Sequence, residues 1–277
     1  MEFLIGKPLA AEMKEALREK IVEFERVPSL TILTNDLDPS SSGYASSLKK
    51  TASEIGIDVK EIRMKDDEET YLRTIEGLNA DTACSAVLVT RPLPPSVNEK
   101  RVSECLSPNK DADCMNPIWG GKIFAGEDVI APATAKAVLL LLERYHIEIS
   151  GKKCLVIGRS ISVGKPVGAM LLNRNGTVTF AHSKTTDLDG FVAENDIIVC
   201  AVGKPRFLDS AKAKPDAIIV DAGIHYLPEG IIGDVIPSGK VKMISKVPGG
   251  VGVITNVALF ENVVKLHERQ VQRDGIR

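Results

Sequence analysis

Cys154-Leu155-Val156-Ile157-Gly158-Arg159-Ser160-Ile161-Ser162-Val163-Gly164-Lys165-Pro166 settles the architecture of this 277-residue chain. Its first four residues are apolar with no polar alternate, the pattern of a strand covered on both faces, as in a parallel sheet. A glycine-bearing loop follows, and the spacing predicts a helix from about Gly164 to Asn173. Strand, glycine loop and helix in that order form a cradle for phosphate, because backbone N–H groups and a helix N-terminus face the anion. The loop is not the standard Gly-x-Gly-x-x-Gly, since Arg159 and Ser160 hold its middle. Taken alone, the glycines also fit a plain strand-to-helix turn.

Downstream, short apolar runs predict strands at 178–181, 197–202, 217–221 and 243–245. Repeated strand, loop and helix units define an α/β fold with a Rossmann-type, doubly wound parallel sheet, expected over residues 134–254. Two strand ends carry small residues, in Ala201-Val202-Gly203-Lys204-Pro205 and Val220-Asp221-Ala222-Gly223-Ile224. Ligands of open parallel sheets lie outside such ends, although tight turns alone also explain them. A site for NAD usually places a carboxylate at the end of the second strand. Here that strand runs into His182-Ser183-Lys184-Thr185, with no acid. Arg159 and Ser183 suit a 2′-phosphate through charge-assisted hydrogen bonds, so NADP is expected.

Upstream, residues 1–133 alternate helix and strand patterns. Met13, Leu17, Ile21 and Phe24 share one face of a helix over 10–25. A strand at 29–34 leads to a turn-rich loop at 35–43 and a helix from Tyr44 to Ile55. A strand at 59–64, a helix at 68–79 and a buried strand at 86–90 follow. Residues 107–126 read as a loop long enough to be functional, and 134–145 as an apolar helix bridging to the next domain. This N-terminal α/β domain is expected to be completed by a C-terminal helix within 255–277.

Lys and Arg number 35 against 37 Asp and Glu, a net charge of −2. No global field therefore draws nucleic acid or an anionic membrane. No run of about 18 apolar residues predicts a membrane span. The start Met1-Glu2-Phe3-Leu4-Ile5-Gly6-Lys7 lacks the pattern of an export signal. Five widely spaced cysteines without Cys-x-x-Cys suggest neither a disulfide framework nor a zinc site. A reducing compartment, the cytoplasm, is expected.

Several ordered motifs resemble one family, the bifunctional methylenetetrahydrofolate dehydrogenase/cyclohydrolases. They are Gly158-Arg159-Ser160 through Val163-Gly164-Lys165-Pro166, Thr177-Val178-Thr179 leading to His182-Ser183-Lys184-Thr185, Lys110-Asp111-Ala112-Asp113, and Val247-Pro248-Gly249-Gly250-Val251-Gly252. The likeness runs from Pro39 nearly to the C-terminus. It implies two α/β domains flanking a cleft, commonly in a homodimer. It implies oxidation of 5,10-methylenetetrahydrofolate to 5,10-methenyltetrahydrofolate with NADP+, followed in the family by hydrolysis to 10-formyltetrahydrofolate. It further implies that Tyr44 stacks on the folate and Asp113 accepts hydrogen bonds from the pterin. Pro248, Gly249 and Gly250 would lie along the substrate, and Gly158, Arg159, Ser160, Ser183 and Ile224 would hold NADP. A flat heteroaromatic does want a ring face and a carboxylate at its donor edge. Read singly, however, Tyr44 also fits a packing role, Asp113 a turn and Pro248-Gly249-Gly250 a bend.

The chain departs from the family at four places. Leu48 stands where the family has a lysine four residues after the tyrosine, and Thr90 where it usually has glutamine. Arg91 replaces a leucine and Cys114 a glycine. Hydride transfer needs mainly the alignment of two reactants, whereas hydrolysis needs an activated water and control of a proton. Dehydrogenase activity with weak or absent cyclohydrolase is therefore expected, unless Lys49, about 100° further round the helix, or Lys50 substitutes. Leu48, Lys49 and Thr90 accordingly join Tyr44 and Asp113 as candidate site residues. Two other readings remain: a non-catalytic folate- or dinucleotide-binding protein, favoured by the altered pocket, and a dehydrogenase of a small acid or sugar, opposed by Pro248–Gly252 and Asp113.

Overall fold

Short apolar strands separated by helices can bury both sheet faces only in a layered arrangement, and the chain does this twice. The computed structural model describes residues 1–35, 39–127, 129–228 and 230–275, the side chains of 39, 40 and 274 excepted. It divides into a unit of Met1–Ala11, Ile123–Asp128 and Pro132–Thr255 and a unit of Glu12–Lys122, Val129–Ala131 and Asn256–Arg277.

The first unit is built on six parallel strands. Their spatial order is Glu2–Leu4, Met243–Ser245, Ile218–Asp221, Ile197–Cys200, Lys153–Ile157, Thr177–Ala181. The chain leaves Lys153–Ile157 to one side and returns on the other, so the order reverses between that strand and Ile197–Cys200. Such a reversal opens a crevice at the carboxyl ends of the two strands. One sheet face packs Leu155, Ile157, Ile198, Cys200, Ile219 and Ile244 against Val192, Leu208 and Val235. The alternate residues Cys154, Val156, Val199 and Val220 are also buried, which explains the unbroken apolar runs. Helices Ala133–Arg144 and Gly164–Leu172 supply buried Val138, Leu142, Val167 and Leu171.

Three features of this unit escape the sequence reading. Glu2–Leu4 forms the sheet edge, and Met1–Ala11 falls in this unit. Ser210–Lys212 is only a single 3-10 turn between Ile197–Cys200 and Ile218–Asp221. His225–Leu227 and Gly230–Ile232 form an antiparallel pair.

The second unit carries three parallel strands in the order Asp58–Met64, Ser29–Asn35, Ala86–Val89. Lys110 and Ala112 extend it through backbone bonds, Val87 N–H donating to the Lys110 carbonyl at 2.6 Å and Ala112 N–H to that of Val87 at 3.0 Å. The helix expected from Tyr44 begins at Pro39. Proline is at home at the start of a helix, where its missing N–H costs nothing. Residues 36–38 of the expected loop lie outside the described residues. Asp67 caps the helix Glu68–Ala80 by accepting from Thr70 N–H at 3.0 Å. The expected loop 107–126 contains a helix, Pro117–Phe124. The last helix runs Val251–Asp274, four residues earlier than its expected start at Thr255.

Candidate functional site

In the six-stranded unit the candidate site starts from Gly158. Its φ is +126°, and a Cβ there would lie 2.2 Å from the Ala201 carbonyl oxygen, across the reversal point. Only glycine fits, which draws the loop tight over the ends of both strands. Ser160 Oγ accepts Val163 N–H at 3.1 Å and Gly164 N–H at 3.2 Å, satisfying the first amide of the helix that follows. The register pairs Ile157 with Ala181. Arg159 and Ser183 thus each stand two residues past a paired strand end, on neighbouring strands about 5 Å apart, and both are exposed. His182 N–H donates to Thr185 Oγ1 at 2.9 Å, closing the turn that presents Ser183 and Lys184. No carboxylate occupies that turn. The donor set, one guanidinium and two hydroxyls beside a helix start, fits a dinucleotide with a ribose phosphate.

Ile224, 46% exposed, follows Ile218–Asp221. Its Cδ1 would meet a Cβ at Gly252 at 3.8 Å, so Ile224 and the end of the Pro248–Gly252 segment are neighbours. Gly249 and Gly250 are buried and Pro248 is exposed. Gly6 N–H donates to the Gly249 carbonyl at 2.8 Å and Lys246 N–H to that of Leu4 at 3.0 Å. The N-terminal strand therefore holds this loop. Val251 and Gly252 already belong to the last helix.

In the three-stranded unit Tyr44 and Asp113 come together. Both are half-buried. Burial first, then the Asp113 carboxylate, holds the Tyr44 phenol far above the usual tyrosine value. The Lys110–Asp113 turn is built from inside. Lys110, 4% exposed, donates its ammonium to the carbonyls of Asp81, at 2.9 Å, and Cys84. Desolvation lowers its pKa. Asp111 accepts Asn116 N–H at 2.7 Å, and burial pushes its carboxyl up to about 6. Asn262, on the last helix, donates Nδ2 to the carbonyls of Ala112 at 2.9 Å and Ala131 at 2.8 Å. Lys110, Asp111 and Asn262 thus position Asp113 without being the residues expected to bind.

Leu48 is fully buried. It falls on the apolar stripe Ala45, Leu48, Ala52, Ile55, all buried, whose spacing of three and four defines one helix face. Lying four residues from Tyr44, it is about 40° round from it and one turn on. Thr90 is buried, its hydroxyl donating to the Leu33 carbonyl at 3.0 Å and bonding the Ser41 hydroxyl.

Lys49 does not join them. Five residues from Tyr44, it is about 140° round the helix. Its ammonium pairs with Glu61, whose carboxyl is held low mainly by that bond. Thr34 Oγ1 donates to the same carboxylate at 2.9 Å. The neighbouring strand offers a carboxylate, and the Lys49 side chain turns to it.

A parallel sheet with a glycine-lined reversal point and an anion-binding loop, joined to a second α/β unit, defines a two-unit dinucleotide-binding α/β protein. The family descriptions sharpen this. Residues 4–113 match "Tetrahydrofolate dehydrogenase/cyclohydrolase, catalytic domain", and residues 132–271 match its "NAD(P)-binding domain". The chain belongs to the tetrahydrofolate dehydrogenase/cyclohydrolase family and is an oxidoreductase of folate one-carbon metabolism. It is 38% identical to the bifunctional protein FolD of Lactobacillus delbrueckii subsp. bulgaricus, over 97% of this chain and 98% of the relative. The FolD structure from Campylobacter jejuni matches at a TM-score of 0.93 and 34% identity, covering 97% of this chain and 99% of the other. That of Trypanosoma brucei, solved with NADP cofactor and an inhibitor, matches at 0.92 and 29%, covering 97% and 98%.

Proposed function

We propose that this chain oxidises 5,10-methylenetetrahydrofolate to the 5,10-methenyl form with NADP+, and hydrolyses that product slowly or not at all. When bound, NADP+ supplies the hydride acceptor. Arg159 and Ser183 hold its 2′-phosphate, the Gly158–Ser160 turn and the following helix start hold its pyrophosphate, and Ile224 packs on it. Tyr44 stacks on the pterin, Asp113 accepts from the pterin N–H groups, and Pro248, Gly249 and Gly250 lie along the folate. Hydride transfer asks these residues for alignment and exclusion of water, which requires no proton donor.

The observation that carries the second half is the full burial of Leu48 on the Tyr44 face of its helix. An isobutyl group there neither donates nor accepts a proton. Thr90, tied to the Leu33 carbonyl and to Ser41, adds no base. Hydrolysis of the methenyl cation then lacks the group that would activate water. Purified protein should reduce NADP+ with methylenetetrahydrofolate and leave methenyltetrahydrofolate to decay at the buffer rate. Hydrolysis well above that rate would refute the loss. Failure to reduce NADP+ while still binding folate would favour a non-catalytic binding protein. Leu48→Lys should raise hydrolysis.

We place the protein in the cytoplasm, a reading supported by five cysteines of which none forms a disulfide among the described residues. Among the described residues no helix is long and apolar enough to cross a membrane. A homodimer is part of the same proposal. Tyr226 and Ile231, paired between the antiparallel strands His225–Leu227 and Gly230–Ile232 and 75% and 36% exposed, offer an apolar contact. Sedimentation at micromolar concentration tests it.

A further inference from the structure

Two turns leave the sheet at the carboxyl ends of neighbouring strands, where ligands of open parallel sheets lie, and the second bears Ile224, which the proposed function gives to the cofactor. One, Ala201-Val202-Gly203, follows Ile197–Cys200; the other, Ala222-Gly223-Ile224-His225, follows Ile218–Asp221. A single fully buried side chain, Asp234, lies between them. Its Oδ2 accepts Val202 N–H at 2.7 Å and Gly203 N–H at 2.8 Å. Its Oδ1 is 2.7 Å from His225 Nε2. Gly223 leaves room for it, since a Cβ at that position would sit 2.2 Å from Oδ1.

Asp234 is itself fixed. Its N–H donates to Asp221 Oδ1 at 3.1 Å, and Val235 N–H donates to Asp221 Oδ2 at 2.9 Å. Asp221 Oδ1 also accepts Gly223 N–H at 2.8 Å. One carboxylate thus sets the distance between the two turns, and a second holds the segment that bears it. A buried carboxylate is costly to desolvate and is kept only where several donors converge on it. Here the donors are two backbone amides of one turn, Val202 and Gly203, and the imidazole of His225 in the other.

We propose that Asp234 is a positioning residue for the cofactor: by bonding Val202, Gly203 and His225 at once, it sets the spacing of the turns that receive NADP+, and it leaves folate binding alone. The inference rests on the proposed function.

The test uses the full chain with Asp234→Asn and Asp234→Ala. NADP+ affinity is read by calorimetry, and KM for methylenetetrahydrofolate and kcat by absorbance. Asp234→Ala should weaken NADP+ by about tenfold or more, with folate KM within about twofold of wild type. Asp234→Asn keeps one oxygen for the two turn amides, and so should recover part of the affinity. If the alanine variant does not fold, the asparagine variant decides alone, with an expected loss of about threefold. Unchanged NADP+ affinity in a folded variant, or folate KM rising in step with it, overturns the proposal. Wild-type protein that fails to bind NADP+ overturns the functional assignment instead.

Discussion

Cys114 follows Asp113 with φ +57°, in the left-handed region that costs a residue with a Cβ about 1–2 kcal/mol. Its thiol donates to the Ile130 carbonyl at 3.4 Å, a weak return. Cys114→Gly should relieve the strain at the expense of a freer unfolded chain. A net gain of about 0.5–1 kcal/mol in urea unfolding is expected, with folate affinity unchanged. A loss of that size would show that the thiol contact matters more than the backbone. At Leu48 packing and chemistry coincide, because the position on the core stripe is also the one where the family carries its lysine. Leu48→Ala should cost about 2–4 kcal/mol and restore no hydrolysis.

At the scale of elements, backbone crowding and helix docking shape the site. A Cβ at Gly158 would press on the Ala201 carbonyl in a positive-φ conformation, so Gly158→Ala must displace the loop. NADP+ binding should fall by at least about tenfold, and stability by about 2–3 kcal/mol; a folded variant with normal affinity would break the link between this turn and the cofactor. Asn262 is the counterpart in the other unit. Its one amide holds the carbonyls of Ala112 and Ala131, and Asn262→Ala would strand both. An unfolding cost of about 2–3 kcal/mol with a raised folate KM is expected, and a folate KM that stays put would show that Asp113 is positioned without it. The sequence makes the strong elements readable, since Cys154–Ile157 and Ala86–Val89 are apolar runs bounded by turns. It hides the weak ones. Pro39 to Gly43 combines proline, serines and glycine, which read as loop by propensity yet form a helix start. Gly120 and Gly121 conceal the Pro117–Phe124 helix in the same way, and three residues at 2–4 carry too little pattern to announce an edge strand.

Across the whole molecule the legible part of the candidate site is what lies in contiguous motifs, namely the Gly158 loop, the 182–185 turn, Lys110–Asp113 and Pro248–Gly252. Its buried support was illegible, because Asp234 reaches Val202 across 32 positions and Asn262 reaches Ala112 across 150. Burying such support has a measurable consequence for pH. The carboxyls of Asp111 and Asp221, one in each unit, are pushed up to about 6 chiefly by burial, against an ordinary value of about 3.8 in the unfolded chain. Between those values the folded state holds protons that the unfolded state has released. Their contribution is therefore full below about pH 4 and lost as pH rises through about 6. Other groups work in the opposite direction. Glu54, Glu61 and Asp196, held low by lysine bonds, lose their contribution as pH falls below the unfolded carboxylate range. His267, its pKa lowered by burial and by Arg26, gains stability as pH rises towards the ordinary histidine value. A comparison with a variant isolates the buried acid. Asn mimics the protonated Asp111 side chain in size, so the stability lost in Asp111→Asn should shrink by about 2 kcal/mol between pH 4.5 and pH 7. Urea midpoints of the two proteins across that range measure it. A loss that stays constant, or grows with pH, would mean that Asp111 ionises freely in the folded protein and that the Lys110–Asp113 turn is open to water.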